Sequence, residues 1–540
     1  MKFFRRKTPS TFQFTPWQRF IFWLLLTVGV GLIVAFGSWW FQPQHVPGNF
    51  RGILHALDFG LFGLLSYIIW HQIIMDLLLW SVSGKVFRLP PIAPQSGKRV
   101  AFITTFVPGK EPIEMLAETV RAMVAADYPH DTWVLDEGND PSAAALCRRL
   151  GAKHFSRHQI ARYNTLDGRF SAKTKGGNHN SWYHTFGHQY EFVAQIDTDF
   201  IPKRHFLTRT LGYFNDSRVA FVGTPQVYGN LSESLIAKGA AQQTYSFYGP
   251  ILRGFSGHNT SLLIGANHVI RVAALADINF YRAHLTEDLL TGMTFHSRRW
   301  TSVYVPEILA VGEGPTSWEA YFNQQMRWAF GCIDILFHHS SKLLRRMKRP
   351  QAVHYFLLQQ HYFNGLALAV ANVLLALYFF FGINASAMNL LPLALIYGPL
   401  LLWQGLMASW LQRLNVDPKT ERGLLLPGKF VSLAAWPVYF LAFVGVVRGK
   451  RISYQVTPKG VGETATSLKI FLPHILFGTL TVIDVVASIY THHQAAIMIF
   501  WAALNTVSMY LVVGHGLLQN LRLIARRKLS RFRFSKAVQT

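Results

Sequence analysis

The residues best suited to chemistry fall in five short stretches. Asp136-Glu137-Gly138-Asn139-Asp140 and Asp197-Thr198-Asp199 each follow an apolar run, "WVL" and "FVAQI" respectively. Asp197 and Asp199, two residues apart on an extended chain, point to the same side. They could hold one hard divalent cation, which prefers oxygen ligands. The first cluster reads equally as a polar turn closing a strand. "KTKGGNHN" (173–180) supplies lysines and glycine amides ahead of a helix-like stretch. With Lys175 these suit a phosphate, although a plain Gly-rich turn has the same composition. The spacing and closing residues of a Walker A loop are absent. In "HLTEDLLTGMTFHSRRW" (284–300), Glu287 and Asp288 occupy a first helical turn. Acidic residues are ordinary there, and one of them could equally act as a general base.

The fifth stretch is "EAYFNQQMRWAFG" (319–331). Read as a helix, it puts Gln324, Arg327, Trp328 and Gly331 at i, i+3, i+4 and i+7, on one face. That face offers an amide, a fixed cation and a flat aromatic plane to a single ligand. The plainer reading is an interfacial Trp and Arg anchoring a membrane helix.

These groups need a scaffold. Between Arg99 and about His339, apolar runs at 99–106, 132–138, 192–199, 219–226, 261–270 and 301–307 alternate with helix-like stretches such as 111–126. The alternation predicts an α/β domain with a mostly parallel sheet, in which ligands collect beyond the carboxyl ends of strands. At roughly 240 residues the region can bury a core of its own.

The rest of the chain is apolar. Half of its 540 residues are hydrophobic, and the mean hydropathy is +0.20. Arg19–Phe41, Ile53–Val82, Tyr355–Gly382, Asn389–Leu411, Ile470–Tyr490 and Ala496–Leu518 are long enough to cross a bilayer. The first is too long for a signal-peptide core and is read as an anchor. The net charge of +25 gathers partly at the two ends, with Lys2, Arg5, Arg6 and Lys7 before the first span. Arg522, Arg526, Arg527, Lys528, Arg531, Arg533 and Lys536 follow the last. Basic residues flanking spans argue for cytoplasmic ends rather than for nucleic acid. Cytoplasmic ends require an even number of crossings. Lys429–Val447, interrupted by Pro437, is therefore expected in the cytoplasmic interface, leaving six. Cys147 and Cys332, the only cysteines, provide neither a disulfide framework nor a metal cluster.

Taken in order, the Asp at a strand end, Lys-Gly-Gly-Asn, Asp-x-Asp, Thr-Glu-Asp, Gln-Gln-x-Arg-Trp and a Tyr-x-Val-Thr-Pro-Lys loop resemble the processive family 2 glycosyltransferases. The resemblance is strongest to the catalytic subunit of bacterial cellulose synthase and covers residues 99–518. It implies a GT-A-like α/β domain inserted between N- and C-terminal transmembrane helices, with amphipathic interface helices. Asp136 would contact the uridine of a nucleotide sugar, and Lys175 and Asn178 would line the diphosphate. Asp197 would contact nucleotide or metal, and Asp199 would be the main ligand of Mg²⁺ or Mn²⁺. Asp288 would be the general base, flanked by Glu287 and Thr286 at the acceptor end. Gln324, Arg327 and Trp328 would receive the growing chain and the diphosphate. Tyr454, Val456, Thr457 and Lys459 would form a gating loop over the nucleotide.

The implied organisation is a basic cytoplasmic N-terminus (1–18), two spans (19–97), a cytoplasmic transferase domain (98–315) and an interface helix (316–346). Two spans (347–413), a loop with a second interface helix (414–448), the gating loop (449–467), two spans (468–518) and a basic tail (519–540) follow. The expected partners are a UDP-sugar, a growing polysaccharide and the lipid bilayer of the inner (plasma) membrane. Accessory export subunits stay open, and no nucleic acid is expected. The resemblance is incomplete: the first acidic motif reads Asp-Glu-Gly where Asp-Asp-Gly is common, and two spans precede the domain where bacterial cellulose synthase has four. "RLIAR" (522–526) resembles the arginine spacing of a cyclic-di-GMP switch, but is read as juxtamembrane charge, with no fused cyclic-di-GMP control. The expected product is a β-linked polysaccharide, most simply a β-glucan such as cellulose. A β-1,3 or mixed-linkage glucan, an amino-sugar polymer and single transfer to a lipid carrier are the alternatives.

Overall fold

The computed structural model describes residues 14–86, 89–450, 452 and 466–538, with side chains up to residue 525. The proposed gating residues Tyr454, Val456, Thr457 and Lys459 lie outside the described residues, as do Lys2, Arg5, Arg6 and Lys7.

Among the described residues, ten strands form two sheets. They are β1 Val100–Phe106, β2 Asp131–Asp136, β3 Lys153–Phe155, β4 Phe192–Ile196, β5 Phe200–Pro202, β6 Val219–Gly223, β7 Val227–Tyr228, β8 His268–Arg271, β9 Thr301–Tyr304 and β10 Ala310–Gly312. The large sheet runs β3-β2-β1-β4-β8-β6-β9, and the small one β5-β10-β7. Strands β3, β2, β1 and β4 pair in parallel, as do β6 and β9. In the large sheet β8 alone reverses, antiparallel to both neighbours, and in the small sheet β5 runs antiparallel to β10. Phe102, Ala194 and Ile196 pack into one core and Ala101, Ile103 and Val193 into another, so both faces of the sheet are covered. This is why the strands read as continuous apolar runs rather than as alternating ones.

One expected strand is shorter than its apolar run. Residues 261–264 lie in no ladder, 265–267 bend with Asn267 at a positive φ, and the ladder begins at His268. Side chains use this segment instead: the Gly265 carbonyl accepts hydrogen bonds from Gln195 Nε2 (2.7 Å) and Lys175 Nζ (2.5 Å).

Among the described residues, seven helical segments are long and apolar enough to cross a membrane: Pro16–Trp40, Gly52–Lys85, Arg349–Phe381, Leu390–Leu414, Leu426–Val447, Leu468–Thr491 and Ala496–Ala525. Six coincide with the expected spans. The seventh contains the segment assigned to the interface, and it is two helices, Leu426–Ala434 and Trp436–Val447. The longer has 12 residues. Joined at Ala435, which keeps a right-handed helical conformation, the two make 22 residues, about 33 Å at 1.5 Å per residue. Leu426–Ala434 lies along the domain helix Leu235–Ser246. A Cβ at Gly239 would meet Val431 Cγ1 at 2.6 Å and the Pro427 carbonyl at 2.7 Å, and Gly428 N–H donates to Gln242 Oε1 at 3.0 Å. One apolar cluster runs from Phe102 in β1 through Trp318 and Phe330 to Tyr439, Phe471 and Val512, joining the sheet to the base of the apolar helices.

Candidate active site

Lys175 opens the helix Lys175–Phe186, and Thr174 caps it by accepting from Gly177 N–H at 3.1 Å. The two glycines therefore do not precede the helix, as the sequence suggested, but lie in its first turn. Gly177 is there for close approach: a Cβ would collide with the Ser171 carbonyl and lie 2.7 Å from an Arg157 nitrogen. The Lys175 ammonium, 10% exposed, pairs with Asp197 and donates to Gly265 O. Asn178 faces inward and donates to the Leu135 carbonyl of β2 at 3.3 Å.

Asp197-Thr198-Asp199 is a tight turn rather than an extended segment, closed by Phe200 N–H donating to Asp197 O at 3.0 Å. Thr198 is fully buried; its hydroxyl donates to the Thr105 carbonyl, and its own carbonyl accepts from Thr119 Oγ1 at 2.6 Å. Pinning the middle residue inward fixes the two carboxylates that flank it. Asp199 is 9% exposed. An oxygen-only donor pair of this kind fits a hard divalent cation.

Asp136 closes its own turn. Its oxygens accept from Gly138 N (2.9 Å) and Asp140 N (2.6 Å), and Oδ2 lies 3.0 Å from His154 Nε2. Next to it, Glu137 takes a two-pronged contact from Arg157 at 3.0 and 2.7 Å. Arg157 is fully buried and also donates to the carbonyls of Tyr163, Ser171 and Thr174, tying the acidic turn to the loop before Lys175. Sequence inspection missed it because it belongs to no motif. A lone arginine after a short strand carries no local signal.

The helix Glu287–Ser297 begins beside this cluster. A Cβ at Gly265 would lie 3.3 Å from Asp288 Oδ2 and 3.9 Å from Lys175 Nζ, and one at Gly176 would lie 3.6 Å from Glu287 Cγ. Asp288 thus packs against Gly265 and Glu287 against Gly176, on either side of Lys175. The helix Trp318–Ile335 then crosses Thr286: a Cβ at Gly331 would sit 2.5 Å from Thr286 Oγ1 and Cγ2. Gln324, Arg327 and Trp328, on the Gly331 face, are half-buried, and Gln324 Nε2 reaches Tyr228 Oη at 3.4 Å. Gln325 points the other way. It is 1% exposed and accepts from Tyr439 Oη at 2.7 Å, fastening this helix to Trp436–Val447.

Charge sets the protonation of the pair. Burial first, then the Asp288 charge, pushes the Glu287 carboxyl up to about 7, with Lys175 and Arg327 opposing. Burial also raises Asp288, against the Leu289 amide and the same two cations. Burial and Lys175 together hold His268 down at about 4, so it is neutral. Two adjacent buried carboxyls, both shifted towards the protonated form, are an arrangement suited to proton transfer.

Residues 192–403 match the family described as Glycosyl transferase family group 2. That match covers under half of the chain, and the long apolar helices found among the described residues make the chain an integral membrane protein. It is similar to cellulose synthase catalytic subunits. To that of Xanthomonas axonopodis pv. citri (strain 306) it is 26% identical over 480 residues, covering 86% of this chain and 63% of that protein. To that of Pseudomonas fluorescens (strain SBW25) it is 26% identical over 371 residues, covering 66% and 47%. The chain therefore spans less than two thirds of the length of either relative. Among solved structures, a mannosyltransferase from Pyrobaculum calidifontis in complex with GDP-Man and Mn2+ matches at 16% identity, with a TM-score of 0.43 over 67% of this chain and 98% of that one.

Proposed function

We propose that this chain is a processive, inverting glycosyltransferase that elongates a β-linked polysaccharide, most simply a β-glucan such as cellulose, from a UDP-sugar and passes it across the membrane. One observation carries the proposal: the helix bearing Gln324, Arg327 and Trp328 rests through Gly331 on Thr286, directly before Glu287 and Asp288. The same helix is bonded through Gln325 to the Trp436–Val447 segment. Catalytic carboxylates and a membrane-proximal sugar-binding face are thereby joined at one contact.

In this reading the acceptor hydroxyl attacks the anomeric carbon as the bond to UDP breaks, and its proton passes to Asp288. Glu287, held neutral to about 7, donates a hydrogen bond rather than adding a second negative charge. Lys175 and Arg327 compensate the charge of the departing diphosphate. Asp199 and Asp197 would hold Mg²⁺ or Mn²⁺, which supplies further compensation when bound. Trp328 offers an aromatic plane to the apolar face of the acceptor sugar, with Gln324 and Thr286 meeting its hydroxyls. Asp136 shapes the turn on the uridine side, and Asn178 braces the strand beside it. The gating role of Tyr454–Lys459 rests on the motif alone. The catalytic domain faces the cytoplasm in a six-crossing topology in the inner (plasma) membrane, with Leu426–Val447 at the interface.

The test is synthesis. Purified chain in lipid nanodiscs with Mg²⁺ or Mn²⁺ is given individual radiolabelled UDP-sugars, and the product is digested with linkage-specific hydrolases. A long polymer cut by a β-glucanase is expected. A short lipid-soluble product, or no turnover with any UDP-sugar, would overturn the proposal.

A further inference from the structure

We infer that His284, Asp334 and His339 form a binding site for a zinc-class divalent transition metal, separate from the catalytic aspartates. Each offers one ligand atom, and these atoms all lie within 4.8 Å of one another. His284 Nε2 is 2.9 Å from Asp334 Oδ2, and the His284 and His339 rings meet edge to face with centroids 5.9 Å apart. Two imidazoles and one carboxylate with a position left for water make the donor set of an open zinc site, whereas Mg²⁺ prefers oxygen alone.

The local fold explains the gathering. Five residues along an α-helix, His339 would lie about 140° around the axis from Asp334. Residues Leu336–Ser340 form a π turn instead, with Ser340 Oγ donating to the Ile335 carbonyl at 3.1 Å and to Gln359 Oε1 at 3.0 Å. The wider turn swings His339 towards Asp334 while leaving His338 beside it. Single π turns inside α-helices frequently mark functional sites.

Supporting contacts are in place. His338 Nδ1 lies 3.0 Å from Asp334 Oδ1 and orients the carboxylate while its own ring is 58% exposed. His284 Nδ1 accepts from Thr286 N–H at 3.1 Å and lies 3.2 Å from Thr286 Oγ1. The tautomer that ligates through Nε2 exchanges that acceptance for donation to the hydroxyl, the outer-shell bond that metal-bound imidazoles make. A bound ion would staple residues 284–286, which lead into Glu287 and Asp288, to the end of the helix bearing Gln324 and Arg327. Its effect is to hold the acceptor side of the site rigid.

The full chain, purified with a tag that contains no histidine and stripped with chelator, is titrated with Zn²⁺ against a chromogenic chelator and with Co²⁺ by visible absorption. One equivalent with tetrahedral Co²⁺ bands is expected. Binding is lost in His284→Ala and His339→Gln, and weakened about tenfold in His338→Ala. Asp199→Asn, which removes the proposed catalytic ligand, retains it. Unchanged binding in His339→Gln, loss of the equivalent in Asp199→Asn alone, or no stoichiometric binding by the native chain would each overturn the assignment. His339→Gln keeps side-chain volume at a half-exposed position, and an unaltered gel-filtration profile verifies its fold.

Discussion

Gly331 lies against Thr286 with no room for a side chain between them: an added Cβ would stand 2.5 Å from the threonine hydroxyl. The two residues are the contact point between the turn leading into Glu287 and Asp288 and the helix Trp318–Ile335. Thr286 is short and 8% exposed, so it has little freedom to yield.

Gly331→Ala should therefore push the helix Trp318–Ile335 off the catalytic turn. Overpacking of this kind costs about 1–3 kcal/mol, and a displacement near 1 Å costs ~10²-fold in rate. Steady-state polymer synthesis should fall by that order while UDP binding, measured by calorimetry, changes little. Unchanged synthesis would show that the contact does not position the site.

The carboxyl pair predicts a pH dependence of stability. A carboxyl whose native value is raised, as Glu287 is to about 7, adds stability that is complete below its ordinary value of 4.5 and is lost as pH rises through about 7. Glu287→Gln abolishes this loss. Its melting temperature relative to the native chain should accordingly climb between about pH 5 and about pH 8. A constant difference across that range would mean that Glu287 ionises like an exposed glutamate.

Lys175 is held by Asp197 and the Gly265 carbonyl together. Lys175→Met leaves Asp197 without this cation and should cost at least ~10²-fold in kcat, the scale of removing one charge-stabilising donor. Lys175→Arg should not restore it, because a planar fork does not replace a compact ammonium in that gap. Stopped-assay kinetics with both variants decide the point.

Arg157 is the structural counterpart. Removing one partner of a buried ion pair costs about 3–5 kcal/mol, and the 22% exposure of Glu137 argues for the lower end. Arg157→Leu should lower the thermal midpoint and loosen residues 171–174, detected as faster amide hydrogen exchange there. Glu137→Gln should be milder, since the three carbonyl acceptors of Arg157 remain.

Much of the framework was legible in the chain. β1, β4, β6 and β9 fall inside apolar runs visible by eye and β2 starts one residue ahead of its run, while six apolar helices overlap the expected spans. Burial on both sheet faces and in lipid both demand uninterrupted apolar residues, and that demand is local. The misreadings share a cause as well. The 261–267 segment is apolar because it is buried, yet side chains satisfy its Gly265 carbonyl, so it forms no ladder. The Asp197–Asp199 turn depends on Thr198 reaching Thr105 in a neighbouring strand.

The sequence by itself determined which segments are helical, extended or apolar, and the order in which the acidic, basic and aromatic motifs follow one another. Tertiary structure alone decided which of them meet: Lys175 reaches a carbonyl 90 residues away, and His284 an aspartate 50 residues away. Hydrophobic periodicity records how deeply each element is buried, but not which neighbour buries it. That choice is made by the strand order of the sheet and by close approaches that only glycine at 177 and 331 permits.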